Sequence, residues 1–417
     1  MLSSSLNFDP ANPPWTEIPA QAGIFALFGA DPRAEPYLSR TPNLRKRLRR
    51  LLDPKPEQSK RLRLAESVVR IEYTLTGSDF EAWLLLYDAS LAAFGERARK
   101  RLHLRPPVFL RMAMENAYPR VYVTNRIRKS ASNHLFGPLP SRNSAESFME
   151  GMLNLFELRR CTDDLHPDPS FPGCVYSEMK KCMAPCFKGC TDERYTQEAA
   201  VVHAFLATRG QSLIAELSRE RDAASADLDF ERAAEIHARL VKVEAAIAGL
   251  APAVRALTDL NGVIVQPSGE AEDEEEQVKL FLLNKGCLAG PVPYSVAGMR
   301  HHNEQSGSSS LFAHPVAVEA VPLAAGGAPL VQLASRDALE ARLDDALSEL
   351  RTQAAGLRGG TQQTADHVSL FSRWYYRPQA RRIGEACFPE ANGEIPKRPL
   401  LRAISRVYRQ GPTRAGE

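Results

Sequence analysis

The sequence predicts an α+β protein made of a small mixed sheet domain, a cysteine-rich segment, an αα-hairpin and a C-terminal α+β region. Three observations predict it. Short apolar or alternating runs interleave with amphipathic helical runs through the first hundred residues; five of the seven cysteines fall between Cys161 and Cys190; and residues 195–250 keep a helical period throughout. A chain of 417 residues has room for roughly two to four domains. We place the segments at 1–105, 106–194, 195–250 and 251–417.

The first segment opens with GIFALF, a short apolar strand, followed after the turn-like GADPRA by a strand in EPYLS and a helix in NLRKRLRRLL. SVVRIEYTLT alternates as a half-buried strand should. SDFEAWLLLYDASLAAFGERARKRL starts at a Ser or Asp cap and carries helical periodicity to its end. In the second segment VFLRMAM and RVYVTNRI form a hairpin around ENAYP, and SAESFMEGMLNLFELRRC forms a helix that leads into the cysteines.

Cys161, Cys174, Cys182, Cys186 and Cys190 are separated by twelve, seven, three and three residues. Thiolates concentrated in this way are natural ligands for zinc or an iron–sulfur cluster. Structural zinc sites usually pair CxxC knuckles, and this segment has none; its spacing suits a larger cluster held by separate loops. The surroundings are rich in Pro, Gly, Asp and Lys, which gives inert buried thiols little apolar cover. Cys287 and Cys387 stand alone in apolar or mixed stretches and read as packing residues.

From Tyr195 to about Leu250 two amphipathic helices are expected, joined at Leu228 and Asp229, with Asp229 as N-cap of the second. Phe230, Ala233, Ala234, His237, Leu240 and Val241 recur along one face of that helix, whose ordinary fate is to pack on the first. A two-helix hairpin has a small core, so it also needs a partner or a neighbouring domain. In the last segment GVIVQPS and QVKLFLLN are strands around the acidic turn GEAEDEEE, and SRDALEARLDDALSELRTQ is a charged helix. HHNEQSGSSS, AAGGAP and AAGLRGGTQQ read as connectors. RWYYRPQARR sets aromatics beside arginines, a pattern equally suited to base stacking and to a core strand.

Charge is distributed unevenly behind a net +3. Arg40, Arg45, Lys46, Arg47, Arg49 and Arg50 fall within RTPNLRKRLRR without one acid, and Arg97, Arg99, Lys100, Arg101 and Arg105 make a second basic run. A solvated helix face is the commoner fate of one such run; two of them favour phosphate contacts and hence nucleic acid. The N-terminus lacks a basic-then-apolar leader and no stretch approaches a membrane span, which excludes transmembrane classes and predicts a cytoplasmic protein.

Taken together, GIFALF followed by PYLSRTPNLRKRLRRLL, FGPLPSR with Phe136, Gly137 and Pro138, FELRRC running into the cysteines, the APC of Ala184 to Cys186, and LDFERAAEIHARL from Leu228 resemble the N-terminal half of the bacterial excinuclease UvrC and its shorter relative Cho. The resemblance covers roughly residues 20 to 250. It implies a GIY-YIG-like first domain, a [4Fe-4S] cluster on Cys161, Cys174, Cys182 and Cys186, with zinc as the alternative and Cys190 outside the pattern, and a UVR-like hairpin whose Leu228, Phe230, Ala233 and Ala234 meet a UvrB-like partner. DNA contacts are implied for Arg40, Arg45, Lys46, Arg49 and Arg50.

The nuclease positions depart from the pattern. Tyr37 matches the second tyrosine and Arg47 the helix arginine, but the first tyrosine is Phe25, the YIG glycine is Ser39, and Leu86 stands where the metal-binding glutamate belongs. Asp88 lies about 200° further round the helix, and Glu81 precedes Leu86 by more than a turn. A magnesium ion held through one carboxylate does not survive its loss. The expectation is therefore a repair accessory or scaffold with an impaired or lost nuclease site; the alternative is an active endonuclease making one incision with magnesium or manganese.

Overall fold

The computed structural model describes residues 2–53, 64–128, 134–162, 164–269, 276–299, 334–357, 359–390 and 392–411. Most of the predicted acidic turn and the HHNEQSGSSS and AAGGAP connectors lie outside these residues.

The first sheet is antiparallel in the order β1-β4-β2-β3, from β1 (Ser4–Asn7), β2 (Gly23–Gly29), β3 (Tyr37–Thr41) and β4 (Val68–Leu75). β2 is apolar without alternation because both its faces are covered. Phe25 and Leu27 pack with Leu44 and Leu48 of α1 (Leu44–Leu52), while Ile24 faces a second core containing α3 (Asp79–Phe94), which follows the one-turn α2 (Leu64–Ser67). Gly23 has no room for a side chain, since a Cβ there would sit 2.5 Å from the Thr74 carbonyl oxygen. The long helix expected over 78–102 breaks at Gly95, which takes φ 55, and resumes as α4 (Ala98–Leu102) after one 3-10 turn.

The middle sheet runs β6-β5-β7-β8, from β5 (Val108–Met112), β6 (Val121–Thr124), β7 (Leu135–Leu139) and β8 (Arg255–Ala256). The helix expected to reach Cys161 stops at Leu153 as α5 (Arg142–Leu153). Arg160 folds back to donate to the free Leu153 carbonyl at 2.7 Å, so the chain beyond turns Phe156 and Leu158 into the core without further helix. A one-turn helix, α6 (Val175–Glu178), crosses the cysteine segment.

The region read as two helices contains three: α7 (Asp192–Ala207), α8 (Gln211–Ala226) and α9 (Phe230–Ile247). The first expected helix is interrupted where Arg209 and Gly210 take φ 54 and 85, and the Gly210 N–H donates to the Phe205 carbonyl at 2.7 Å, a left-handed cap that amphipathic periodicity conceals. The hairpin is therefore α8 and α9. α7 places Tyr195, Ala199 and Val202 in the core beneath the middle sheet.

The C-terminal sheet is β11-β10-β9-β12, from β9 (Gly262–Pro267), β10 (Gln277–Asn284), β11 (Cys287–Ser295) and β12 (Glu385–Cys387). β11 was not anticipated: Gly290, Pro291 and Pro293 read as loop residues, and proline is tolerated there because the strand lies at the sheet edge. α10 (Arg336–Gly356) and α12 (Lys397–Gln410) cover one face. α11 (Thr361–Tyr375) covers the other; the predicted AAGLRGGTQQ connector is divided between the end of α10, a short link and the start of α11, and α11 takes in most of the predicted RWYY strand. That helix was hidden because its buried face carries polar residues: Asp366 accepts from Arg99 Nε at 2.8 Å and Tyr87 Oη at 3.1 Å, and His367 Nδ1 accepts the Leu288 N–H at 2.9 Å.

The first and last sheets share one core. Phe80 of α3 meets Phe281 of β10 and Trp374 of α11, each at a ring-centroid distance of 5.2 Å. Glu81 and Lys279 form a buried ion pair at 2.8 Å across the same junction.

Candidate functional site

Antiparallel pairing sets Phe25 opposite Ser39 and Leu27 opposite Tyr37, and it brings the Phe25 and Tyr37 rings to 6.1 Å. Tyr37 is 40% exposed, whereas Phe25 is wholly buried. Arg47 is half-buried on α1. Leu86, at the expected metal position, is 6% exposed and belongs to the core shared with Phe281 and Trp374. Glu81 is committed to Lys279 and also accepts the Gly77 N–H at 2.8 Å. Asp88 is exposed. Among the described residues no group of three or more His, Cys, Asp or Glu side chains is arranged to hold a metal ion.

The predicted DNA-contact residues divide between two surfaces. α1 buries Leu44, Leu48 and Leu52 at i, i+4 and i+8, which turns Lys46, Arg49 and Arg50 to solvent. Arg45 is half-withdrawn, donating to the Ile18 carbonyl at 2.7 Å. Arg40 leaves this group altogether: the strand alternation sends it to the α3 side, where it pairs with Asp79 and lies over the Trp83 ring at 4.5 Å. Its guanidinium pKa is lowered, by burial first, with Asp79 opposing.

All described cysteines are free thiols. Cys174 is the N-cap of α6, Cys182 is buried, and Cys186 lies in a 3-10 turn entered through Ala184 in the left-handed region. The Ala184 N–H donates to Cys182 Sγ at 3.4 Å. Burial pushes the Cys182 thiol up to about 11; Ala184 opposes the rise, and neighbouring Cys161, Cys174 and Cys186 add to it. Cys190 is raised by burial and then by Asp192, and it packs against the middle core. Cys186 thus acts on both Cys182 and Cys190, and the structure does not set Cys190 apart from the other four. Tyr195 anchors this arrangement, donating to the Pro119 carbonyl at 2.8 Å and accepting the Arg159 N–H at 3.1 Å.

On the hairpin, Ile236, Leu240, Val243 and Ile247 of α9 face the core, so Leu240 belongs to the buried side rather than to the stripe it was grouped with. Phe230, Ala234, His237 and Val241, at i, i+4, i+7 and i+11, face solvent instead of packing on α8. Phe230 is 65% exposed and Leu228, in a left-handed turn at φ 62, is 72% exposed. Ala233 is half-buried beside them. Sequence reasoning missed Arg126 and Arg128, arginines without an apolar period around them, and Trp83, which the apolar run of α3 made read as a packing residue.

The chain thus sets a thiol-rich segment between a small sheet and a helical hairpin with exposed apolar residues. Residues 108–205 match the model of the UvrC/Cho excinuclease middle domain and residues 211–246 that of the UvrB/uvrC motif. The chain is similar to the UvrABC system protein C of Idiomarina loihiensis, with 29% identity over 48% of this chain and 32% of that protein. It is also similar to those of Pseudoalteromonas translucida, 27% over 53% and 36%, and Rickettsia bellii, 26% over 67% and 42%. The chain thus spans between a third and just over two fifths of the length of these curated relatives. No solved structure matches it. The chain is UvrC-like. No helix among the described residues is long and apolar enough to cross a membrane.

Proposed function

We propose that this chain is a DNA-binding component of nucleotide excision repair, working in the cytoplasm as an accessory or scaffold with a lost GIY-YIG nuclease site. The observation that carries this is the filling of the catalytic metal position: Leu86 is sealed in a core and Glu81 is held by Lys279. Tyr37 and Arg47 would remain as a remnant of the site, with Leu86 where the carboxylate for magnesium or manganese belongs. Lys46, Arg49 and Arg50 supply an exposed basic helix for phosphate contacts, with Arg45 partly withdrawn. Leu228, Phe230, Ala233 and Ala234 form the docking face for a UvrB-like helical hairpin, in keeping with the UvrB/uvrC motif there.

Cys161, Cys174, Cys182 and Cys186 would hold a [4Fe-4S] cluster, or zinc in the alternative. The donor set has the right chemistry, four thiols with a backbone N–H bonded to the Cys182 sulfur, although among the described residues no three of them are arranged as a metal site. The group would supply structural order. Its cationic iron would reverse the upward push on thiols that lack a counter-charge.

The test is plasmid nicking by the purified, metal-replete chain on damaged DNA with magnesium or manganese, with and without UvrB. Absence of nicking with retained, salt-sensitive binding is expected. Nicking that disappears in Tyr37→Phe or Arg47→Ala would establish the alternative, an active endonuclease. A visible iron–sulfur absorbance lost in Cys182→Ser and kept in Cys190→Ser is expected; colourless protein with stoichiometric zinc would replace the cluster by zinc.

A further inference from the structure

The second basic run and the arginine-rich end of α11 have no part in the sites above, yet the fold sets them side by side. Arg105 follows α4, Arg373 and Arg377 close α11, and Arg40 reaches them from β3. Arg40 and Arg377 share the single carboxylate of Asp79. Arg40 and Arg373 both lie over the Trp83 ring, at 4.5 and 3.9 Å. Arg105 and Arg373 are exposed and form no ion pair among the described residues.

Two cavities open here, of about 560 and 380 Å3, and Pro106 lines both. The first carries His103, Arg105 and Arg373; the second carries Arg99, Arg126 and Arg128. Neither lining contains an acidic side chain among the described residues. Their common wall is one face of α11: Thr361, Ala365, Ser369, Arg373 and Tyr376 recur every three or four residues along about 22 Å of helix. Small and hydroxylic side chains leave that wall open to a ligand lying lengthwise.

We propose that this groove binds the phosphodiester backbone of a nucleic-acid strand, with Arg105, Arg126, Arg128 and Arg373 as its phosphate contacts. Cations spread along a helix length match a polymer with regularly spaced charges, whereas a free phosphate or nucleotide would engage only one end. Outside the two linings, Arg40 shares the Trp83 ring with Arg373, and Asp79 holds Arg40 and Arg377. The inference rests on the nucleic-acid reading above but assigns the grip to a surface separate from α1.

The test measures binding of labelled single-stranded and duplex oligonucleotides across a salt series. It compares the wild-type chain, the combined Arg105→Ala, Arg126→Ala, Arg128→Ala and Arg373→Ala variant, and a Lys46→Ala, Arg49→Ala, Arg50→Ala variant. The groove variant should lower the slope of log affinity against log salt by about three, through loss of four phosphate contacts. Thr361→Glu, an exposed first-turn position where an acid suits the helix, should weaken binding without loss of melting temperature. Groove variants that keep wild-type affinity and slope while the α1 variant loses both would overturn this assignment alone. A wild-type chain that binds neither oligonucleotide would remove the nucleic-acid reading and the groove with it. Displacement of the oligonucleotide by inorganic phosphate or a mononucleotide at equal phosphate concentration would replace the polymer by a small anion.

Discussion

The two helical faces that carry unexpected apolar residues have opposite fates. On α3, Leu86 and its neighbours are covered by the chain itself, through Phe281 and Trp374. On α9, Phe230 and Val241 are left in water although the same helix buries Leu240 and Val243 a third of a turn away. Apolar residues on α3 serve internal packing, whereas those on α9 leave an apolar surface in water. The first sheet domain is accordingly joined to the C-terminal region by a shared core, and the hairpin packs on the middle core.

The sharpest way to break this contrast is to open the shared junction. Trp374→Ala removes a buried ring that touches Phe80 and Phe371, and should cost about 4 kcal/mol in urea unfolding monitored by circular dichroism. A loss below about 1 kcal/mol would mean that the α3 face is not a true core. Lys279→Ala should cost about 3 kcal/mol by stranding Glu81 in the interior, and restoring neutrality with Glu81→Gln in the same chain should recover part of it. A double variant no more stable than the single would show that the pair is not coupled.

What the sequence made legible follows the same division. GIFALF and QVKLFLLN were readable as short continuous apolar runs, and the basic helix because its leucines repeat at a helical period. α11 was not, because Asp366 and His367 are buried with partners from distant segments, and a local pattern counts them as exposed. The concentration of five cysteines was legible from spacing, and the choice of four of them came from the resemblance, while the separation of Arg40 from Arg45, Lys46, Arg49 and Arg50 required knowing which face of β3 meets α3. The groove along α11 was invisible for a related reason: its arginines come from three segments, and only the shared core between the first and last sheets brings them together.

The buried histidine gives the junction a pH dependence. Burial lowers His367 to about 4, so between about 6.5 and 4 the unfolded chain takes up a proton that the folded chain refuses. Its contribution is fully present above pH 6.5 and is lost as pH falls, at up to about 1.4 kcal/mol per pH unit across that window. Urea midpoints measured from pH 7.5 to 4.5 should show this slope, and His367→Gln should flatten it. An unchanged slope in the variant would assign the pH dependence to other groups.

The smallest effect on folding should accompany the largest on association. Phe230→Ala deletes a ring that is 65% exposed, so the isolated chain should change in stability by less than about 0.5 kcal/mol. In titration calorimetry against a UvrB-derived helical hairpin, the same variant should weaken binding at least about tenfold, as expected for an aromatic anchor at the centre of a small interface. Leu228→Ala should behave similarly, because Leu228 extends the same patch from the turn before α9. Val243→Ala is the reverse control: it lies on the buried side of α9, so it should lower stability by about 1 to 3 kcal/mol while leaving the affinity of the folded fraction intact. If Phe230→Ala destabilised the chain as much as Val243→Ala and bound the hairpin normally, the outward stripe would be part of the internal packing, and the contrast between α3 and α9 would collapse.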